Sequence, residues 1–351
     1  MKEWNDKYNP FNSMKVLMYP EHLEGYANNE YLPPITVAID PINTCNLKCK
    51  WCNATKIMDN DVDKMTVEDA EKLSKFLFEW GVKGTCIAGG GEPLLNKEAF
   101  NTLLLECFDY KISNSVITNG TLLDDELIKN ISYTCRWIGI SVDAGCSETF
   151  KHIKGVDSFY KVLDNMKKLR EEIDKTKSKC TIGYKFLLHP DNQYDILKAV
   201  ELAKEYGAHD FQLRPVAMPG NNLKYDNDKI DFQIEKALLL NSDNFKVYAV
   251  RHKYDANFKP TFDFKKCRAC AIHPVFSSNG SLGLCIDRRG DDSLTLCNWK
   301  TDNVLDFWNT DKHKKMLKNV NFSECPKCTF NEYNKIVESV FTDDSMCRRH
   351  V

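Results

Sequence analysis

The chain has 351 residues, enough to bury a sizeable core and to form one large domain with a smaller one beside it. Its 48 Lys and Arg residues nearly balance 50 Asp and Glu residues, and the net charge of −2 gives no electrostatic support for binding to nucleic acid or to an anionic membrane. No apolar run approaches the roughly 18 residues of a membrane span, and the N-terminus lacks a signal-peptide core. We therefore expect a cytoplasmic protein with reduced thiols.

Residues 1–34 are polar and aromatic without clear periodicity, and we interpret them as an N-terminal extension. From residue 35 to about residue 216, strand-like and helix-like periodicities alternate. The predicted strands are 35–40, 84–88, 114–118, 137–142, 180–188 and 209–214. The predicted helices are 66–80, 96–109, 124–132, 158–174 and 193–206. A capping box begins at Thr66, and Gly81 and Gly207 stand where helix C-caps belong.

This alternation predicts a parallel sheet covered by helices. Six βα units are fewer than the eight of a closed barrel, so we predict an α/β fold with an open, partial (β/α)6 TIM-like barrel over residues 35–220. A doubly wound open sheet fits the same pattern. In either architecture, functional side chains gather at the carboxyl ends of the strands.

After the predicted barrel the chain changes character. A turn at 218–222, a helix at 228–240 and a short strand at 245–250 form a predicted bridge over residues 221–266. Residues 267–351 contain seven of the fifteen cysteines, a density that indicates a small metal-binding domain.

A loop rich in cysteine follows the first predicted strand. Cys45, Cys49 and Cys52 have the spacing C-x3-C-x2-C. Three thiolates are one ligand short of a structural zinc site or a fully ligated [4Fe–4S] cube, which would leave one iron open to another chelator. A zinc site that takes a distant fourth ligand is the alternative.

A glycine-rich turn, Gly89-Gly90-Gly91-Glu92-Pro93, follows the second strand. Glycine allows close approach of a ligand to the backbone, and Glu92 can accept hydrogen bonds from an amino group. The Lys-Ser/Thr pair of a phosphate loop is missing. A tight strand–helix turn without a ligand is the alternative.

Polar side chains stand at the ends of the later strands. They are Thr118, Asn119, Ser141 and Asp143 on the third and fourth strands, and Lys185, Gln212 and Arg214 on the fifth and sixth. The last three are candidates to line a substrate cavity, with a salt bridge that closes the barrel as the alternative. Ordinary turn chemistry is the alternative for Asn119.

The first two motifs together resemble the radical S-adenosylmethionine (SAM) enzymes. Trp51 precedes the last cysteine of the loop, and the GGEP element follows about 40 residues later. The resemblance implies that Cys45, Cys49 and Cys52 hold a [4Fe–4S] cluster whose open iron is chelated by SAM. An electron from this cluster then splits SAM into a 5′-deoxyadenosyl radical that abstracts hydrogen from a substrate. The SAM contacts that it implies are Trp51, Gly90, Gly91, Glu92, Thr118, Asn119, Ser141 and Asp143.

The tail resembles the SPASM and Twitch auxiliary-cluster domains. Cys270-x9-Gly280-x4-Cys285 matches their opening signature, and Cys325-x2-Cys328 follows. We predict one auxiliary [4Fe–4S] cluster bound by Cys270, Cys285, Cys325 and Cys328, with Cys267 the first substitute for Cys270, and therefore about 8 iron atoms per chain. The longer family pattern continues C-x2-C-x5-C-x3-C, but Asn334 and Glu338 occupy its last two positions here. A zinc ribbon is the alternative for the two C-x2-C pairs.

The predicted function is abstraction of hydrogen from an unactivated carbon, with oxidation or crosslinking of a peptide or protein side chain, as in a maturase. The 44 residues before Cys45 are too few for the leader-peptide-binding domain of many such relatives, which weakens the peptide interpretation. Oxidation of a small sugar or alcohol, and a non-catalytic zinc-binding protein, are the alternatives. Flavodoxin or ferredoxin is the expected electron donor. Asp287 is a candidate proton acceptor, and a solvated pair with Arg288 or Arg289 is its alternative.

Overall fold

The computed structural model describes residues 13–58, 62–216, 223–249, 261–262, 264–326 and 328–340. The strands are β1 (Thr36–Asp40), β2 (Gly84–Ile87), β3 (Ser113–Thr118), β4 (Cys135–Ser141), β5 (Thr181–Leu188), β6 (Asp210–Pro215), β7 (Lys246–Ala249), β8 (Val275–Ser277), β9 (Ser281–Gly283) and β10 (Thr295–Asn298). The helices are α1 (Pro20–Ala27), α2 (Thr55–Met58), α3 (Val67–Trp80), α4 (Lys97–Asp109), α5 (Asp125–Thr134), α6 (Ser147–Lys154), α7 (Phe159–Thr176), α8 (Ile196–Glu205), α9 (Asn227–Leu238), α10 (Asp311–Lys318) and α11 (Asn331–Val340).

All of these strands lie in one sheet, with the order β10-β9-β8-β1-β2-β3-β4-β5-β6-β7. Strands β1 to β7 pair in chain order and in parallel, and β8 is parallel to β1 on its other side. Within the described sheet, the antiparallel pairs are β8 with β9 and β9 with β10. Helices alternate with the parallel strands, so the predicted α/β class is confirmed, with the parallel sheet of a partial TIM-like barrel.

The parallel sheet is wider than the six predicted strands. β7 comes from the predicted bridge and pairs with β6, while β8 comes from the cysteine-rich tail and pairs with β1. A strand of three residues such as Val275–Ser277 is too short to give a recognisable alternation of apolar and polar residues. It can be identified only from its pairing with β1 in the structure. The predicted turn at 218–222 lies outside the described residues.

Local signals at the ends of helices are confirmed. The Thr66 hydroxyl accepts the backbone N–H of Asp69, whose carboxylate accepts the N–H of Thr66, so the capping box is complete. Gly81 and Gly207 adopt left-handed conformations, with φ of 92° and 86°, just after α3 and α8. Sequence periodicity missed α6, which has only eight residues and little apolar surface.

Apolar side chains fill the space between helices and sheet. Phe100 of α4 and Phe150 of α6 are completely buried. On the sheet, Phe211 packs against Tyr184 and Phe186, with ring centroids 5.4 and 5.7 Å apart. Within the described residues, no helix is both long and apolar enough to span a membrane.

The described part of the N-terminal extension packs against the cysteine-rich tail. The hydroxyl of Tyr26 lies 3.0 Å from the hydroxyl of Tyr333 on α11. The indole N–H of Trp308 donates to the carbonyl oxygens of Tyr31 and Leu32, both at 3.0 Å. These hydrogen bonds join the described part of the N-terminal extension to the tail.

Candidate active site

The cysteine-containing loop between β1 and α2, residues 41–54 and hereafter the cluster loop, begins at the carboxyl end of β1. The backbone N–H groups of Lys48 and Lys50 donate to the carbonyl oxygens of Lys154 and Ile153, each at 3.0 Å. These two carbonyls belong to the last turn of α6, where main-chain oxygens lack partners within the helix. The unpredicted helix α6 thus fixes the position of the loop.

The three thiols of the cluster loop lie close together and close to Glu92. Burial raises the pKa of Cys45 to about 11, and the charges of Glu92, Cys49 and Cys52 act in the same direction. The thiol of Cys45 also accepts the N–H of Leu47, at 3.4 Å. Three convergent thiols with a backbone donor fit the three-cysteine ligation of a [4Fe–4S] cluster.

A buried ion pair lies against this loop. Lys154 donates to Asp143, and both side chains are only 3% exposed. Burial lowers the pKa of Lys154, but Asp143 and Cys49 outweigh that effect, so the pKa is raised overall. Asp143 also accepts the N–H of Leu187, at 2.6 Å. It lies beyond the end of β4 and has a left-handed backbone conformation, with φ of 60°.

The glycine-rich turn after β2 packs directly on the cluster loop. A Cβ at Gly91 would lie 2.0 Å from the carbonyl oxygen of Thr44, so the close approach requires glycine. Glu92 is 2% exposed, and its carboxylate accepts the hydroxyl of Thr118 at 2.5 Å and the backbone N–H of Asn119 at 2.8 Å. Burial nevertheless raises the pKa of Glu92 to about 7. A buried acceptor therefore stands beside Cys45.

Asn119 forms a local turn and also a hydrogen bond to the cluster loop. Its side-chain oxygen accepts the N–H of Thr121 at 2.9 Å, as in an Asx turn. Its side-chain nitrogen donates to Asn46 at 2.8 Å, and Asn46 donates in turn to the hydroxyl of Thr121, also at 2.8 Å. This network ties the end of β3 to the cluster loop. Asn46 carried no signal in the sequence beyond its place between two cysteines.

Trp51 belongs to a small apolar cluster beside the cluster loop. Its ring is buried beside Ile153 and Val216 and stacks on His189, with centroids 4.8 Å apart. Among the described residues, its buried indole N–H has no hydrogen-bond partner. The planar, apolar ring of Trp51, with an indole N–H that is not yet hydrogen-bonded, fits contact with a heteroaromatic ring such as adenine. His189 was not singled out from the sequence.

The three candidate substrate residues are neighbours on the inner face of the sheet. Lys185 of β5 is in register with Gln212 of β6, and its ammonium lies 5.1 Å from the ring centroid of Trp137. Arg214 donates to Gln212 at 3.2 Å, and Gln212 donates to Asp210 at 2.7 Å. Burial raises the pKa of Asp210 to about 6. These strands therefore present a connected polar surface.

In the tail, one cavity brings five thiols together. They belong to Cys267, Cys270, Cys285, Cys325 and Cys328. The sulfur atoms of Cys267 and Cys270 are 3.4 Å apart. Five thiols are one more than a single cube needs. Cys297 is buried in β10 and does not line this cavity, and Cys347 lies outside the described residues. In the described part of the chain, no group of three or more His, Cys, Asp or Glu side chains has the geometry to hold a single metal ion.

Asp287 lines the same cavity and is buried. Its carboxylate accepts the backbone N–H and the hydroxyl of Thr329, at 2.6 and 2.8 Å. Asp287 is only 9% exposed, which does not agree with a fully solvated ion pair. Against the effect of burial, Asp40 and, less strongly, Asp287 nevertheless raise the pKa of Arg289, whereas Arg288 pairs with Glu324 at 2.5 Å.

Arg289 attaches the tail to the end of β1. Its guanidinium donates to both carboxylate oxygens of Asp40, at 2.6 and 3.2 Å. Ile57 lies between two glycines, since a Cβ at either Gly90 or Gly290 would lie 2.4 Å from its side chain. The cysteine-rich tail is therefore fixed at the same edge of the sheet as the cluster loop.

These motifs and this fold define the class of the protein. Residues 39–191 match the model of the radical SAM superfamily, so this part of the chain is a radical SAM domain. Its cofactors include SAM and the [4Fe–4S] cluster that binds SAM.

Particular relatives extend the similarity beyond that domain. The cysteine-type anaerobic sulfatase-maturating enzyme of Clostridium perfringens is 26% identical over 340 residues, which cover 85% of this chain and 86% of that enzyme. A probable GTP 3′,8-cyclase of Saccharolobus islandicus is 26% identical over 277 residues, which cover 76% of this chain and 83% of that protein.

Two solved structures share the fold. SuiB of Streptococcus suis bound to S-adenosylmethionine matches with a TM-score of 0.66 and 18% identity, covering 91% of this chain and 76% of that one. Native anSMEcpe with bound AdoMet matches with a TM-score of 0.59 and 23% identity, covering 86% of this chain and 89% of that one.

Proposed function

We propose that this radical SAM enzyme abstracts hydrogen from an unactivated carbon of a peptide or protein side chain, as a maturase. The observation that carries the proposal is the attachment of the thiol-lined tail cavity to the edge of the sheet that bears the cluster loop, through Arg289 and Asp40. The sulfatase-maturating relative supports the choice of substrate class, because its similarity covers 85% of this chain and so extends at least into the tail.

The SAM cluster would be held by Cys45, Cys49 and Cys52. That cluster would supply the electron for reductive cleavage of SAM. Glu92 accepts hydrogen bonds from the SAM amino group, and Trp51 shields the adenine from water. Both roles agree with the burial of these side chains. Gly90 and Gly91 let the turn lie against the cluster loop.

The remaining candidate SAM contacts differ in what their surroundings allow. Thr118 and Asn119 already donate to Glu92, so they orient its carboxylate. Ser141 ends β4 in register with Lys185 and is half-buried, which suits contact with the ribose. Asp143 is engaged by Lys154 and acts through it on the cluster loop.

The substrate would bind against Lys185, Gln212 and Arg214, which share the inner face of the sheet. Asp287 is our candidate acceptor for the proton that oxidation of the substrate radical releases. It lies in the thiol-lined cavity, and its two hydrogen bonds from Thr329 hold the carboxylate in place.

The tail cavity would hold one auxiliary [4Fe–4S] cluster. Our proposed ligands are Cys270, Cys285, Cys325 and Cys328, with Cys267 as the substitute for Cys270. All five thiols line the cavity. Anaerobic purification followed by iron, sulfide and zinc analysis should give about 8 iron atoms per chain. Zinc without sulfide would instead support the non-catalytic zinc-binding alternative.

Two experiments test the reaction. Replacement of Cys45, Cys49 and Cys52 together by Ala should abolish formation of 5′-deoxyadenosine and leave auxiliary iron in place; undiminished formation would refute the assignment of this cluster.

The second experiment tests the substrate class. A synthetic peptide whose Cys side chain carries deuterium at Cβ should transfer deuterium to 5′-deoxyadenosine. Transfer from a deuterated sugar alcohol, with none from the peptide, would favour the dehydrogenase alternative.

A further inference from the structure

Two side chains of α11 hold the segment that carries the first C-x2-C pair of the tail. They are Asn334 and Glu338, the positions where the longer auxiliary-domain pattern has cysteine. One carboxylate oxygen of Glu338 accepts the backbone N–H groups of Lys265 and Lys266, at 2.7 and 3.2 Å. The two positions are four residues apart, so they share a face of the helix.

Asn334 also contacts two of the cavity thiols. It is completely buried, and its side-chain oxygen accepts the N–H groups of Arg268 and Ala269, at 2.7 and 3.0 Å. Its side-chain nitrogen donates to the sulfur of Cys267 at 3.9 Å and to that of Cys328 at 3.8 Å. The amide thus uses both lone pairs and both N–H groups. Its orientation is determined, because a flipped amide would direct its nitrogen at two backbone donors.

We propose that Asn334 is a positioning residue that raises the reduction potential of the auxiliary cluster. The inference rests on the proposed auxiliary cluster. Reduction adds negative charge to a cluster and its thiolates, and an N–H dipole aimed at sulfur stabilises the more negative state. The side-chain nitrogen of Asn334 donates to Cys328, a proposed ligand, and to Cys267, the substitute ligand. Where the longer pattern has a cysteine ligand, this chain therefore has a hydrogen-bond donor to a ligand.

The experiment uses the full chain with Cys45, Cys49 and Cys52 replaced by Ala, so that only the auxiliary cluster remains. In this background Asn334→Asp retains an acceptor for Arg268 and Ala269 but loses both donors to sulfur. At a fixed solution potential, the ratio of reduced to oxidised cluster should fall about tenfold, a shift of ~59 mV to more negative potential. Redox titration followed by electron paramagnetic resonance measures the shift.

Glu338→Gln is the matched control, because Gln can still accept from Lys265 and Lys266 and the side chain does not contact a thiol. Its potential should equal that of the background protein. An unchanged potential in Asn334→Asp with full iron content, or an equal shift in both variants, would overturn the inference. Absence of any iron in the background protein would instead refute the auxiliary cluster itself.

A measurement without substitution at position 334 covers the case in which Asn334→Asp fails to retain the cluster. Asparagine labelled with ¹⁵N in its side chain is incorporated into the background protein, which is then reduced. Pulsed electron paramagnetic resonance should detect a ¹⁵N nucleus coupled to the auxiliary cluster. The absence of such a coupling would count decisively against a hydrogen bond from Asn334 to the cluster thiolates.

Discussion

Replacement of Glu92 by Gln should change protein stability and SAM affinity in opposite directions. The pKa of Glu92 rises from 4.5 to about 7 because burial disfavours the carboxylate. Between pH 4.5 and about pH 7, the folded protein therefore binds more protons at Glu92 than the unfolded chain does. The contribution of Glu92 to the free energy of unfolding is therefore highest below pH 4.5 and falls as pH rises towards 7, by about 3 kcal/mol in total.

Gln does not ionise, so the variant avoids this loss at pH 8. It gives up part of the hydrogen bonding to Thr118 and Asn119, worth about 1 kcal/mol for each bond. Without SAM, the cluster-loaded variant should therefore be more stable than the unsubstituted protein at pH 8, by at most about 2 kcal/mol. Thermal unfolding under anaerobic conditions measures the difference.

SAM affinity should respond in the opposite sense. An amino group that donates to Glu92 favours its ionised form, and the ionised fraction falls from about 90% at pH 8 to about 10% at pH 6. The affinity of the unsubstituted protein should therefore fall up to about tenfold over this range. In Glu92→Gln it should be about ten- to a hundredfold lower at pH 8, because a charge-assisted hydrogen bond is worth roughly 1.5–3 kcal/mol.

Anaerobic equilibrium dialysis with labelled SAM measures these affinities. Glu98→Gln makes the same chemical change at an exposed site on α4 and should alter neither quantity. A pH-independent affinity in the unsubstituted protein, or a less stable Glu92→Gln at pH 8, would refute the reasoning.

Three further predictions concern the buried charges and the clusters. Lys154→Met leaves Asp143 without its cation and should lower the free energy of unfolding by about 3–5 kcal/mol, as measured by denaturant unfolding. Further replacement of Asp143 by Asn should restore part of this free energy in the same assay. Asp287→Asn should retain SAM cleavage and lose substrate turnover; full turnover would remove it from the mechanism. Iron analysis should give about 8 atoms per chain, and a reproducible value near 12 would show two auxiliary clusters.

Local chemistry explains which features could be predicted from the sequence. A capping box needs only Thr66 and Asp69, which are three residues apart. The C-x3-C-x2-C spacing similarly brings three thiols together within one loop. Strand alternation located β1 to β6 because each has at least four residues with partners on both sides. The period of apolar residues and the spacing of cysteines are properties of short segments, so they can be read directly from the sequence.

The remaining features depend on contacts between distant parts of the chain. Asp40 and Arg289 are 249 positions apart, and neither neighbourhood indicates the other. Lys154 belongs to a short charged helix, in which a lysine is ordinarily expected to face water. Gly155, left-handed with φ of 78°, was the one local sign that this helix ends there.

The buried acids of the site also show why Glu92 is suited to receive a ligand. Asp143 faces Lys154 and Asp40 faces Arg289, so each of these carboxylates is compensated within the protein. Among the described residues Glu92 forms no ion pair, and the effect of burial on its pKa outweighs its hydrogen bonds and the more distant charge of Lys154. A ligand that brings an amino group to Glu92 therefore relieves an existing electrostatic cost and gains affinity from it. The same group at Asp143 or Asp40 would first have to displace a buried cation.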